Sequence, residues 1–219
     1  WGAHDEFVLL KQAQELDKQK QPFFSFLLTL SSHEPFVVPI PTKFDNGTEE
    51  YQFANSCYYT DYSLGKYFEA IQNKAWFNNT LFIICADHGS SRPYNREYNE
   101  PKRFHIPLLF YGDVIKSEYR GKTMSTVGSQ LDISATILSQ LKISDSDFYW
   151  SNNLLTPFRK QFAFYTFDEG EGWVYKNGSL TYDVRSKKYT YWYDSKTDTT
   201  KEREANSYLQ VMFDKYMNY

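Results

Sequence analysis

Two apolar runs in this chain stop abruptly on side chains that carry chemistry. Residues 23–32, FFSFLLTLSS, lead straight into His33, and residues 80–86, TLFIICA, lead straight into Asp87-His88-Gly89. Short apolar runs bounded by turn formers read as strands buried on both faces, the pattern of a parallel sheet. Such a sheet binds ligands beyond the carboxyl ends of its strands. The spacing therefore restricts the fold to α/β and points to one polar edge where His33 and the Asp87-His88 pair could converge.

The remaining segments fit that frame. Phe7, Leu9, Leu10, Ala13 and Leu16 recur among Lys, Glu and Gln, which predicts a helix over 5–19 closed by Pro22. Residues 34–48 hold three prolines and an Asn-Gly and read as loop. A long helix is predicted over 49–77, with Phe53, Cys57, Leu64, Phe68 and Ile71 on one stripe. Asp61 falls on the same stripe and needs a partner, because burying a lone carboxylate is costly. A polar loop over 90–103, a third strand over 106–111 and a helix over 130–141 follow.

The composition shifts near residue 150. Segments 161–167, 172–176, 179–184 and 188–194 are short, aromatic and separated by turn residues, the pattern of an antiparallel meander. A helix over 201–219 is predicted to cover one of its faces. The expected organisation is an α/β portion over 1–150, mostly parallel sheet with flanking helices, and a small antiparallel β subdomain with a terminal helix over 151–219.

Composition excludes several classes. A net charge of −3 gives no basic footprint for nucleic acid, and 41% hydrophobic residues rule out a disordered tail. Cys57 and Cys85 lack metal or disulfide spacing and read as buried free thiols. No apolar run approaches the roughly 20 residues needed to cross a bilayer. The chain opens at Trp1 without an initiator Met, so it reads as a soluble piece of a longer protein, with any membrane anchor outside it. Sequons stand at Asn46, Asn78 and Asn177.

A carboxylate oxygen and an imidazole nitrogen are both ligands for a divalent cation, and Gly89 lets the chain turn away from a bound ion. Asp87 and His88 are therefore candidate metal ligands; the plain alternative is a helix N-cap followed by a surface histidine. His33 is either a partner of that site or a solvated loop residue. His105 begins its strand and reaches the same edge only if the 90–104 loop folds back. Arg92, Arg96, Lys102 and Arg103 could hold an anionic substrate or form a solvated basic loop. His4 and Asp5 stand at a helix start, where Asp5 complements the helix dipole. Thr29, Ser31 and Ser32 lie in no Gly-x-Ser-x-Gly elbow, so a serine hydrolase has little support.

The series WGAHDEFVL, FFSFLLTLSSHEPF, YYTDYSLGKYFEAIQNKAWFNNTLFIICADHG, HIPLLFYG and STVGSQLDISATIL resembles the lipoteichoic acid synthase-like branch of the sulfatase and alkaline phosphatase superfamily. The resemblance runs from Trp1 to about Leu141, and the meander with its final helix is similar to that branch's C-terminal subdomain. It implies an alkaline phosphatase-like (sulfatase-like) sandwich, incomplete at its N-terminus. It also implies a membrane-anchored enzyme whose extracytoplasmic domain transfers phosphoglycerol from a lipid donor through a phospho-threonine, assisted by one divalent cation, manganese or magnesium.

Carried over by motif, Asp87 and His88 are metal ligands and His33 contacts the substrate phosphate or protonates the leaving group. Arg92 and His105 stand as substrate contacts, while Asp61 and the Gln130-Asp132 segment match structural positions. The implied partners are an anionic lipid and a polyol-phosphate or glycan. Family members carry the acidic metal ligand, the nucleophilic Thr and a His/Trp/Arg cluster upstream of the WGxxDE segment, so these 219 residues are expected to be inactive alone. No Cys-x-Pro-x-Arg is present for a formylglycine sulfatase. A sulfatase, phosphodiesterase or phosphoethanolamine transferase of the same superfamily, or a non-catalytic carbohydrate-binding module, remain as alternatives.

Overall fold

The computed structural model describes residues 2–45, 47–157, 159–193 and 198–218, so Trp1, the sequon residue Asn46 and Asp194 lie outside the described residues. The chain forms two compact units, Trp1–Arg96 with Ile106–Arg120, and Glu97–His105 with Gly121–Tyr219. Residues 121–150, assigned by sequence to the α/β portion, thus group with the meander.

The first unit is built on two helices, α1 (Asp5–Leu16) and α2 (Glu49–Ile71). Thr48 caps α2 by accepting a hydrogen bond from the Tyr51 N–H, and Glu49 and Glu50 complement the dipole of its first turn. Leu9, Ala13 and Leu16 of α1 pack with Tyr67 and Ile71 of α2 and with Trp76, and Phe23, Leu27 and Phe82 close the cluster. α2 stops at Ile71, short of the predicted Phe77, which instead opens a 3₁₀ turn.

The buried face of α2 carries Asn55, Ser56, Tyr59, Ser63, Tyr67 and Ile71. This corrects the predicted stripe: Cys57 and Asp61 are exposed, and Cys85 is only half-buried, although both thiols are free. The shift has a physical cause. The Ser56 and Ser63 hydroxyls donate back to the carbonyls of Phe53 (2.7 Å) and Tyr59 (2.8 Å), so small polar residues occupy the interface without unpaired groups.

Strands β1 (Phe82–Cys85) and β2 (Leu108–Tyr111) pair antiparallel, with Phe82 opposite Tyr111 and Cys85 opposite Leu108. The parallel pairing expected for this region is not formed among the described residues. Gly112 ends β2 at φ +136°, where a Cβ would lie 2.3 Å from the Thr80 carbonyl oxygen. Residues 23–30 join no ladder, in contrast to the predicted strand. Phe23 and Leu27 pack inward, whereas Phe24, Phe26 and Leu28 are 85%, 79% and 62% exposed. A strand is defined by a hydrogen-bonded neighbour, and among the described residues β1 pairs with β2 alone.

The second unit follows the sequence reading closely. After α3 (Asp132–Gln140), strands β3 (Phe162–Phe167), β4 (Gly170–Tyr175), β5 (Gly178–Asp183) and β6 (Lys188–Trp192) form an antiparallel meander in chain order. Helix α4 (Thr199–Met217), capped by Asp198, lays Ala205 and Tyr208 over Trp173, Tyr175 and Leu180. Phe162 stacks on Trp173 at 4.4 Å between ring centroids. On the opposite face Phe104 stacks on Tyr165 at 4.1 Å and Tyr98 meets Phe167 edge-on. Gly172 makes room for Tyr165, whose ring a Cβ would meet at 2.0 Å. Among the described residues no helix is long and apolar enough to cross a membrane.

Candidate active site

His33 stands on a turn that is held from below by Asp5. The Asp5 carboxylate is 1% exposed; its Oδ1 accepts from the backbone N–H groups of Leu30 and Ser31, both at 2.9 Å. The Asp5 N–H donates to Ser31 Oγ at 3.0 Å, and the Thr60 hydroxyl on α2 donates to Asp5 Oδ2 at 3.1 Å. Thr60 Oγ1 also lies 2.9 Å from Ser32 Oγ. Asp5 is therefore more than the dipole partner expected from sequence. The overlooked signal was Ser31 and Ser32 ending an apolar run, since buried polar groups require partners.

The His33 N–H donates to the Leu30 carbonyl at 3.0 Å, and its own carbonyl accepts from Phe36 N–H at 2.9 Å. Phe36 adopts φ 59°, rare for a bulky residue, and is buried edge-on against Phe53 at 5.6 Å. His33 Nδ1 lies 2.9 Å from the Glu34 carbonyl oxygen. A carbonyl only accepts, so Nδ1 carries the proton and Nε2 is the ring's acid–base atom. A cleft of about 160 Å³ at this position is lined by His4, Leu30, Ser31, His33, Glu34 and Val37, among others.

Asp87 and His88 follow β1 on an exposed loop. The His88 N–H donates to Asp87 Oδ1 at 3.0 Å, and His88 Nε2 lies 3.8 Å from Asp87 Oδ2. His88 Nδ1 lies 2.8 Å from the Gly89 carbonyl, which fixes the proton on Nδ1. Two donors on one ion, each about 2.1 Å from it, are separated by about 3–4 Å, so this pair fits a shared divalent cation. Among the described residues no group of three His, Cys, Asp or Glu side chains forms a complete cage.

Arg92 lies between Glu49 and Glu50, bonding both carboxylates, with Nη1 3.1 Å from Glu50 Oε1. Its charge is committed to the first turn of α2. The Glu50 carboxyl is held below its ordinary range, first by its own backbone N–H and then by Thr48 and Arg92, against the opposing effect of desolvation. The Arg96 guanidinium sits over the Tyr94 ring at 4.8 Å, and Lys102 over Tyr193 at 4.9 Å. His33, Asp87, His88 and Arg92 belong to the first unit; His105, exposed after a 3₁₀ turn at Pro101–Phe104, belongs to the second.

The second unit has a buried ion pair that sequence reasoning missed on one side. Asp132 accepts from the N–H groups of Ser129 (2.9 Å) and Asn152 (2.8 Å) and from Arg159 Nη1 at 3.2 Å. Arg159 also donates to the Val127 carbonyl at 2.6 Å. The structural role expected for the Gln130-Asp132 segment has this content.

Comparison with known proteins identifies the family. The family model described as Sulfatase matches residues 1–143. The chain is 23% identical over 225 residues to the lipoteichoic acid synthase-like YvgJ of Bacillus subtilis (strain 168), covering 94% of this chain and 35% of that protein. It is 26% identical over 151 residues to phosphoglycerol transferase I of Escherichia fergusonii, covering 64% of this chain and 19% of that protein. It thus spans about a third or less of these relatives. In three dimensions it is similar to a protein in the alkaline phosphatase superfamily from Vibrio parahaemolyticus, with a TM-score of 0.79, 24% identity, and coverage of 100% of this chain and 55% of that one. The chain belongs to the sulfatase family.

Proposed function

We propose that this chain is the carboxyl-terminal part of the catalytic domain of a metal-dependent phosphoglycerol transferase acting on lipid-linked or glycan substrates at the extracytoplasmic face of the cell membrane. The observation that carries this reading is the Asp87-His88 pair, carboxylate and imidazole 3.8 Å apart on an exposed loop directly after β1. The similarity to a lipoteichoic acid synthase-like protein and to a phosphoglycerol transferase supports it.

Asp87 and His88 would hold a manganese or magnesium ion together with ligands from outside these 219 residues. Bound there, the ion supplies Lewis-acid stabilisation of charge on the phosphoryl oxygens. The Gly89 carbonyl keeps the His88 proton on Nδ1 and so directs Nε2 to ligation. His33, with Nδ1 engaged by Glu34, uses Nε2 to bind a phosphate oxygen or to hand a proton to the leaving alkoxide. Arg92 anchors the loop that follows Gly89 onto α2, and His105 is carried as a further candidate substrate contact. In this reading the nucleophilic threonine lies upstream and the chain alone does not turn over.

The test uses the protein that carries this chain with its upstream residues. Fluorescent phosphatidylglycerol and manganese are supplied and diacylglycerol release is followed. Asp87→Ala and His88→Ala are each expected to lower the rate by at least about a hundredfold, the upper end of what loss of a supporting metal contact costs. Turnover of a sulfate ester in place of the phosphodiester would move the assignment to a sulfatase. Unchanged rates in both variants would leave a glycan-binding module.

A further inference from the structure

We propose that Asp5 and Thr60 are positioning residues for His33, a role that rests on the reading of His33 as a group that meets the phosphodiester. A surface turn is ordinarily mobile, whereas a side chain in chemistry must be held to within about 0.5 Å. The described His33 ring contact, Nδ1 to the Glu34 carbonyl, lies within its own loop. The backbone that precedes His33 ties the turn, and with it the ring, to the rest of the unit.

That backbone is tied at Leu30, Ser31 and His33, and Ser32 is held by its hydroxyl. Asp5 takes the N–H groups of Leu30 and Ser31, and Leu30 returns its carbonyl to the His33 N–H. The hydroxyl chain has a direction. Thr60 owns one proton and gives it to Asp5 Oδ2, so the Ser32 hydroxyl must donate to Thr60. The result is a polar clamp joining the start of α1, the middle of α2 and the turn. Its carboxylate is 1% exposed, so solvent cannot replace a lost member. Tyr59, next to Thr60 and fully buried, adds a second tie: its hydroxyl accepts from the Glu6 N–H at 3.4 Å, and its ring packs edge-on to His4.

The experiment uses the same upstream-containing protein, with phosphatidylglycerol as substrate and hydrogen exchange measured on a peptide spanning residues 27–36. Thr60→Val keeps the shape and removes the hydroxyl. It is expected to lower kcat about tenfold or more, as sub-ångström misplacement does, with KM within about twofold and faster exchange in the peptide. Thr60→Ser restores the hydroxyl and should recover both readouts, which a packing defect would not. Asp5→Asn can satisfy the clamp by reversing its hydroxyl chain, and should fall between wild type and Thr60→Val. His33→Ala serves as the reference. If it lacks activity while Thr60→Val keeps the wild-type kcat, or if Thr60→Ser is as impaired as Thr60→Val, the positioning role is overturned. If His33→Ala keeps full turnover, the functional reading of His33 fails instead; the clamp is then judged on exchange alone, and unchanged exchange in Thr60→Val overturns it.

Discussion

The two units manage apolar surface in opposite ways. In the second, both faces of the four-stranded sheet are covered, one by α4 and the other by Tyr98 and Phe104. In the first, Phe24, Phe26 and Leu28 project into solvent, and Leu109 and Tyr111 of β2 are about half exposed. The strands of the second unit are neighbours in sequence and find each other through hairpins. The apolar runs of the first lie far apart, and among the described residues one pair closes a ladder. An apolar run says that a segment is meant to be covered; it does not say by what.

The contrast can be broken most forcefully at Arg159. Its guanidinium and the Asp132 carboxylate are almost fully buried against each other, so Arg159→Ala leaves an uncompensated charge inside the second unit. A loss of about 3–5 kcal/mol is expected, read as a lowered urea midpoint by tryptophan fluorescence. A loss below about 1 kcal/mol would mean that the pair does not hold this unit together.

Glu171 tests the same covered sheet through pH. Its carboxyl is 4% exposed, Oε1 has no hydrogen-bond partner among the described residues, and burial pushes its pKa from 4.5 up to about 7. The folded state binds this proton more tightly than the unfolded chain does. The contribution to stability is thus complete below pH 4.5, declines as pH rises towards 7 and is lost above it. Glu171→Gln should flatten that slope, a difference of up to about 3 kcal/mol between pH 5 and pH 8 in urea unfolding. Parallel slopes in the two proteins would show that the carboxyl is solvated.

In the first unit, Asn55 is fully buried and accepts from the N–H groups of Lys43 and Phe44. Asn55→Ala strands both donors and should cost about 1–3 kcal/mol by the same measurement. The smallest effect is expected for Phe24→Ser with Phe26→Ser. Both rings are exposed, so stability should move by no more than about 0.5 kcal/mol while solubility rises. A larger loss would show that a covering layer is already in place.

Legibility from sequence follows the same division. The meander could be read because its period of two and its turn residues are local, and the helices because their caps and spacing are local as well. The buried face of α2 could not, since Asn55, Ser56 and Ser63 are chosen for hydrogen bonding and close approach, which a hydrophobic period does not register. The pairing direction of β1 and β2 is a non-local outcome. At the candidate site, Asp87 and His88 were visible as an adjacent Asp-His pair at a strand end. The clamp beneath His33 was not, because Asp5 meets its partners 25 to 55 positions away. Arg159 is 27 positions from Asp132 and carries no motif at all.

The spacing of the strands also sets a timetable. β3 to β6 are joined by turns of two, two and four residues, so their hairpins can close in about 1–10 µs once the segment is free. The first unit must bring Asp5 to Thr60 and β1 to β2 across long loops, and contact order makes such closures slow. On refolding of the whole chain, the meander is therefore expected to reach its native pairing before the half bearing His33, Asp87 and His88 is completed.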